Sequence, residues 1–513
     1  MSRRGAVALA LGIAVGGIAT AAPANAVAGI VDLPATPTHA SITCDVTNTA
    51  TVGTAAAFSL AYANPLINCI NMTADISYTS AAPFTGVLTT LDRPLSIDGG
   101  GNNLTFGAGA AYGNRPFYLK NQPTANAGKT FQLHNVDVNY GFDAFLVSGE
   151  GEQAQGWDIV LDGVNLDGLP GYGVGSPNGR PVSAYLADVF LEGTGDSSNT
   201  YGRFFPRNLI VAEGADWSLA PTDVAPHEPQ IDLSFGLVNG PSGDSGKVWV
   251  LGDLDVDGGF FSAIYSFAGI YVGSDGALSA NSNYDGYSFG ALTTAGGATG
   301  TGQVWVNDGG SLSVTNNNGI AVYAIAGAPL DLRSDAGAQV VITGSSDPSW
   351  APAFGIGAIT MASGGSSLQF NEPAVLDIKN LGNTATNNWA ISSLLNNGTA
   401  FDYSLAIYDA FQVSTWNHPT PVAANPDAAY NDATLLTDAS GAALPGTTPA
   451  DMAANWDTTE YRRIFAADTN VFELPLINPV VGAVTLLGGA LVASAVGIPM
   501  LRRRRAAVSV EAV

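Results

Sequence analysis

Short apolar alternations separated by glycine and asparagine recur through most of this chain, and the stretch from Asp92 to Phe106 shows the unit. Leu95 and Ile97 share one side of an extended segment and Ser96 takes the other; Leu104 and Phe106 repeat the pattern after Gly99-Gly100-Gly101-Asn102-Asn103. Glycine and asparagine tolerate the left-handed backbone of a tight corner. Two strand halves meeting at such a corner make one coil of a stacked β-structure.

Later coils are counted from the inward apolar residue before each corner. These anchors are Leu133, Leu161, Leu186, Val211 and Leu233, spaced 28, 25, 25 and 22 residues apart. A second run, Val250, Val272, Val306, Leu332 and Phe370, is spaced 22, 34, 26 and 38. Units of this kind bury their apolar face only against neighbours, and the long intervals predict loops emerging on one side. Taking roughly 12 to 16 coils at ~4.8 Å each predicts a rod of about 60 to 75 Å.

Ahead of the coils, Val52 through Asn64 is alanine-rich, carries Phe58, Leu60 and Tyr62, and stops at Asn64-Pro65. It predicts a short amphipathic helix over the open first coil, which would otherwise expose unpaired backbone. Residues 27–40 are small, Pro-containing and unpatterned, so they read as a leader, with order beginning near Ser41. Residues 41–411 are the expected coil domain. Over 412–479 the periodicity fades, but Trp416, Tyr430, Trp456 and Tyr461 argue for a C-terminal cap before a stalk.

The helix, Asn64-Pro65, Ile70-Asn71-Met72-Thr73-Ala74-Asp75-Ile76 and Leu95-Ser96-Ile97-Asp98-Gly99-Gly100-Gly101-Asn102 together resemble the start of the pectate-lyase-like right-handed parallel β-helix of bacterial surface adhesins. The likeness is strongest over residues 41–106, and Phe370 to Ile378 resembles a late coil of the same family. It implies an all-β solenoid with a capping helix, and an adhesive role.

The two ends point to an address. Residues 1–26 read as a secretory signal: Arg3-Arg4, an apolar run from Ala6 to Ala22, then Pro23-Ala24-Asn25-Ala26 with small residues for cleavage. Residues 480–501 carry no charge and precede Arg502-Arg503-Arg504-Arg505, so they predict a transmembrane helix with the 502–513 tail in the cytoplasm. This ending resembles the sorting tails of Gram-positive surface proteins. Leu474-Pro475-Leu476-Ile477-Asn478 stands where their sortase motif would be, so a retained single-pass anchor with the body outside is the expectation.

Charge and cysteine content refine this picture. The chain of 513 residues has a net charge of −25, and the segment from Val27 to Leu501 keeps 12 basic against 42 acidic residues. Such a body repels nucleic acid, which is not an expected partner. Cys44 and Cys69 are the only cysteines; export makes a disulfide plausible, with two free thiols as the alternative.

Known β-helix chemistry is looked for among the residues themselves. The coils contain no Asp-Asp pair with Gly-His-Gly and Arg-x-Lys, as a polygalacturonase-like site would have, and no lyase-like arrangement of carboxylates with a base. Asp137, Asp162 and Asp167 could share one face of neighbouring coils, although aspartates at turns are far commoner. The four histidines lack ligand spacing. Catalytic, cofactor and metal residues are therefore expected to be none.

The expected function is a surface adhesin or envelope scaffold contacting host, matrix or cell-surface ligands, glycans among them, through its lateral face and insertion loops. Tyr284, Tyr287 and Trp350 are candidate anchors. The alternative is a surface polysaccharide lyase or glycoside hydrolase with an unrecognised carboxylate site.

Overall fold

A computed structural model describes residues 31–468 except 79–88, 107–115, 122–127, 141–145, 150–153, 169–186, 198–203, 221–228, 235–245, 286–287, 296–299, 346–355, 383–387, 394–401, 418–422, 424 and 458–460. The expected signal (1–26), transmembrane helix (480–501) and tail (502–513) lie outside the described residues. Among the described residues no helix is long and apolar enough to cross a membrane.

The chain is all-β and coils into a parallel solenoid with three faces. On face one, parallel pairing carries a single inward column from Ile70 through Ile97, Leu133, Leu161, Leu191, Val211, Val250, Val272 and Val306 to Ser334, Phe370 and Ile407. Face two stacks Trp217, Leu254, Leu278, Leu312, Val340 and Leu376. Face three stacks Ile264, Leu292, Val322, Ile359 and Ile391. These columns meet in one continuous apolar core.

The Leu95–Phe106 stretch spans faces one and two in one run, with Leu95, Ile97, Leu104 and Phe106 all buried. Its corner needs the left-handed backbone that Gly100 and Gly101 adopt, at φ +57° and +78°.

The anchor register corrects the sequence reading at three positions. Leu191 holds the column where Leu186 was expected, and Leu186 lies outside the described residues. Leu233 follows Ile231, whose partner Ile264 belongs to face three. Leu332 is inward but one step early, leaving the column to Ser334. The cause is common to all: two inward residues per strand half give the alternation no unique anchor, and variable loops hide the slip.

Helix α1, Ala55–Ala63, caps the first coil. Thr54 starts it by accepting from the Ala57 N–H at 3.2 Å. Phe58, Ala61 and Tyr62 face the core, and Leu60 points to solvent, because a helix repeats every 3.6 residues and positions 58, 60 and 62 do not share a side. Arg93 then donates to the Tyr62 carbonyl, which the helix end leaves open, at 2.8 Å and to the Ile67 carbonyl of the turn that follows at 2.7 Å. A disulfide joins Cys44 to Cys69 across 25 positions.

At the other end the pairing changes direction. Tyr461–Ala467 lies antiparallel to both Val375–Asn380 on face two and the second half of Tyr403–Asn417, whose first half is on face one, and Ala428–Leu436 covers the latter strand's other edge. Antiparallel closure occupies backbone groups that a further parallel coil would otherwise need. Trp416, Trp456 and Tyr461 are buried here, and Met452 of the short helix α2, Ala450–Asn455, packs beneath them into the core.

Residues 31–40 are the largest departure from expectation. They are ordered and lie along the outside of face one, against the outward positions of its strands.

Candidate functional site

Outward side chains on most sheet faces meet water. On face one they form a ladder: Val160, Phe190, Ile210, Trp249, Tyr271 and Trp305 occupy successive rungs in register. The first five are buried, with Leu33 and Trp305 packed against them. Trp249 and Tyr271 stand 5.3 Å apart by ring centroid, and Tyr271 and Trp305 5.6 Å. Residues 31–40 form the strap that covers this ladder.

Polar contacts fix the strap at both ends and in the middle. The Val31 N–H donates to an Asp335 carboxylate oxygen at 3.2 Å, the Trp249 indole N–H donates to the Pro34 carbonyl at 3.2 Å, and the Thr130 hydroxyl donates to the Ala40 carbonyl at 2.6 Å. His39 places Nε2 2.8 Å from Glu192 Oε1, with its ring 4.9 Å from that of Phe190.

Beneath His39 lies an unusual charge cluster. Parallel pairing sets Asp158, Asp188 and Asn208 on three consecutive rungs. Asp188 is buried, accepts from Arg207 Nε at 2.8 Å and from Asn208 Nδ2 at 3.0 Å, and also meets Arg207 Nη2. Asp158 beside it is pushed up to about 6, chiefly by burial and then by the Asp188 charge. Hydrogen bonding to Glu192 holds the His39 imidazole above its ordinary value, against the effect of burial.

Two adjacent carboxylates with an arginine and an imidazole are ingredients of glycosidic chemistry. Here they face the strap instead of an open groove, and Asp188 already has its oxygens engaged. Through His39 the strap is bonded to Glu192 and lies in the field of Asp158.

The carboxylates singled out from sequence are not brought together. Asp137 accepts from Asn165 at 2.6 Å, Asp162 pairs with His134 at 2.7 Å, and Asp167 stands in register with Asn139. Among the described residues no group of three or more metal-ligating side chains converges. Tyr284 does sit in an aromatic patch: its ring lies 5.8 Å from Phe261 and 5.5 Å from Phe289, and Tyr265 packs on those two rings from 6.0 and 5.6 Å. All four rings are half-buried, and neighbouring Phe260 is 47 % exposed. Tyr287 and Trp350 lie outside the described residues.

Sequence reasoning missed Asp158, Asp188, Arg207, His39 and the outward aromatics. A signal existed. Face two reads as clean alternation, as in Ala277–Ser282 or Ser311–Asn316, whereas Asn208–Val211 and Gly269–Val272 are buried at every position. Unbroken burial means that a sheet is covered on both sides.

Comparison with known families gives a match over the entry coils. Residues 49–168 match the family model described as a "putative pectate lyase-like adhesive domain". The entry coils are similar to a pectate lyase-like adhesive domain. The match takes in α1, the glycine corner at Gly99-Gly100-Gly101 and the rungs through Trp157–Gly168. The description of that model is adhesive. No curated protein and no solved structure matches the chain.

Proposed function

We propose that the protein is a cell-surface adhesin or envelope scaffold, held by the apolar segment 480–501 and binding host, matrix or neighbouring-cell ligands through its lateral faces. The observation that carries this reading is the half-buried aromatic patch of Phe261, Tyr265, Tyr284 and Phe289, on the same coil stack whose entry coils, residues 49–168, match a pectate lyase-like adhesive domain. Partly exposed rings supply large contact area at low entropic cost, and flat aromatic faces suit glycans as well as protein side chains. The signal at 1–26, the Arg502-Arg503-Arg504-Arg505 tail and the acidic body support display outside the cell and oppose nucleic-acid binding.

The test is a panel of cells, matrix proteins and glycans probed with the purified chain and with Phe261→Ala/Tyr284→Ala. Loss of a bound ligand by roughly thirtyfold, equivalent to about 2 kcal/mol, with an unchanged melting temperature supports the proposal. Equal binding by both proteins rejects the patch as the contact.

The juxtaposition of Asp158, Asp188 and Arg207 favours one second reading, a glycan-cleaving site masked by the strap. A chain lacking residues 31–40 that releases new reducing or unsaturated ends from polysaccharides would establish it. Absence of products from a folded chain would leave the adhesin reading.

A further inference from the structure

The strap has the signature of a polyproline II segment. Asp32, Ala35 and Thr38 are exposed, while the pairs between them, Leu33-Pro34 and Thr36-Pro37, are partly buried. An exposure period of three, with prolines three apart, is that of a left-handed helix with three residues per turn. The span agrees. Thr130 and Asp335 lie seven rungs apart along face one, about 34 Å at the usual strand spacing. Nine polyproline II steps cover about 28 Å, and the side chains of Thr130 and Asp335 supply the remainder; ten α-helical residues would reach only about 15 Å.

Its seat has the matching chemistry. Polyproline II segments dock in aromatic-lined grooves where an indole N–H takes a backbone carbonyl, because the free peptide is already extended and loses little entropy. Phe190, Trp249, Tyr271 and Trp305 line this groove, and the Trp249 indole donates to the carbonyl of Pro34. Among the described residues the strap enters no strand ladder, so its removal breaks no sheet pairing. Among the described residues its covalent connection to the coils runs through residues 41–43, ahead of the disulfide at Cys44.

The geometry points to a polyproline II binding site on face one, filled at rest by the chain's own residues 31–40 and able to take the same segment from a second copy. Exchange of straps would join rods side by side without altering either coil stack. The occupant is the strap of another copy, since the groove already displays its fit to that sequence.

The test uses a labelled peptide of residues 27–41 and a chain lacking residues 31–40. Saturable binding to the shortened chain, about tenfold weaker when Pro34 and Pro37 of the peptide are glycine, and about fivefold weaker to the Trp249→Phe protein, is the expected result. The full chain should bind the peptide far more weakly, because its groove is occupied. If the shortened chain does not fold, a protease site placed across residues 41–43 of the full chain is cut after folding, and the released strap must exchange with labelled peptide. No saturable binding to a folded, strap-free chain, or equal binding of the glycine peptide, overturns the proposal.

Discussion

Arg463 reaches back 86 positions to pair both oxygens of Asp377, at 2.7 Å from Nε and 3.1 Å from Nη2. Its guanidinium also lies 4.4 Å from the Trp416 ring centroid, so one side chain ties the closing antiparallel strand to both of its neighbours, Val375–Asn380 and the second half of Tyr403–Asn417. Asp377 is nearly buried and keeps Lys379 as a second partner at 2.8 Å. Arg463→Ala should therefore cost about 1–3 kcal/mol, less than an orphaned buried charge. Hydrogen exchange should rise first in Tyr461–Ala467 and Val375–Asn380, with the entry coils unaffected.

Ile97 sits in the core between Ile70 and Leu133 on adjoining rungs. Ile97→Asp places a carboxylate where every neighbour is apolar, at a cost of at least about 3 kcal/mol. The expected outcome is an entry domain cut by protease at concentrations that leave the parent chain whole. Unchanged resistance would mean that this column does not face inward in solution.

The bond between Cys44 and Cys69 closes a loop 25 positions long that contains α1 and the first rung. By loop-closure entropy, replacing both cysteines by serine should cost about 3 kcal/mol of entry-coil stability. Because Cys69 is 1 % exposed and in register with Ser96, the loss should show as faster exchange in Thr49–Val52 and Cys69–Met72. Equal melting of oxidised and reduced protein would contradict this.

Sequence was most legible at the corners. Leu133 and Phe370 take their expected inward column beside the polar Gln132 and Gln369, and Leu161, Val211, Val250, Val272 and Val306 take it beside apolar outward neighbours because a glycine-marked corner follows each of them. The strap escaped notice because no such local mark accompanies it. Residues such as Phe190, Ile210 and Trp249 are apolar on the outward side, and their partner is a segment more than a hundred positions away with no periodicity of two or 3.6. Clustering of Asp158, Asp188 and Arg207 depends on rung register across long loops, which local spacing does not carry. Loss of alternation was the one available clue, and it marks a covered face without naming its cover.

Strap docking should depend on pH through two groups that face each other across the contact. From the strap, His39 meets Glu192 and the Asp158 charge; from the coils, Asp158 meets Asp188, His39 and Arg207. His39 is raised above its ordinary value by hydrogen bonding to Glu192, so its contribution is complete below the unfolded value of 6.5 and is lost as pH rises through the folded one. Asp158 is raised from 3.8 to about 6 by burial, so the folded state prefers the neutral acid and loses that advantage as pH climbs from about 4 past 6. Both signs agree: the strap should be held more firmly at pH 5 than at pH 8. Limited proteolysis within residues 31–43 should accelerate as pH rises between those values. Asp158→Asn removes the ionisation, and should protect the strap at pH 8 while changing little at pH 5; His39→Gln should flatten the remaining dependence. A strap cut at the same rate across this range, or faster in acid, would show that these two groups do not govern its docking.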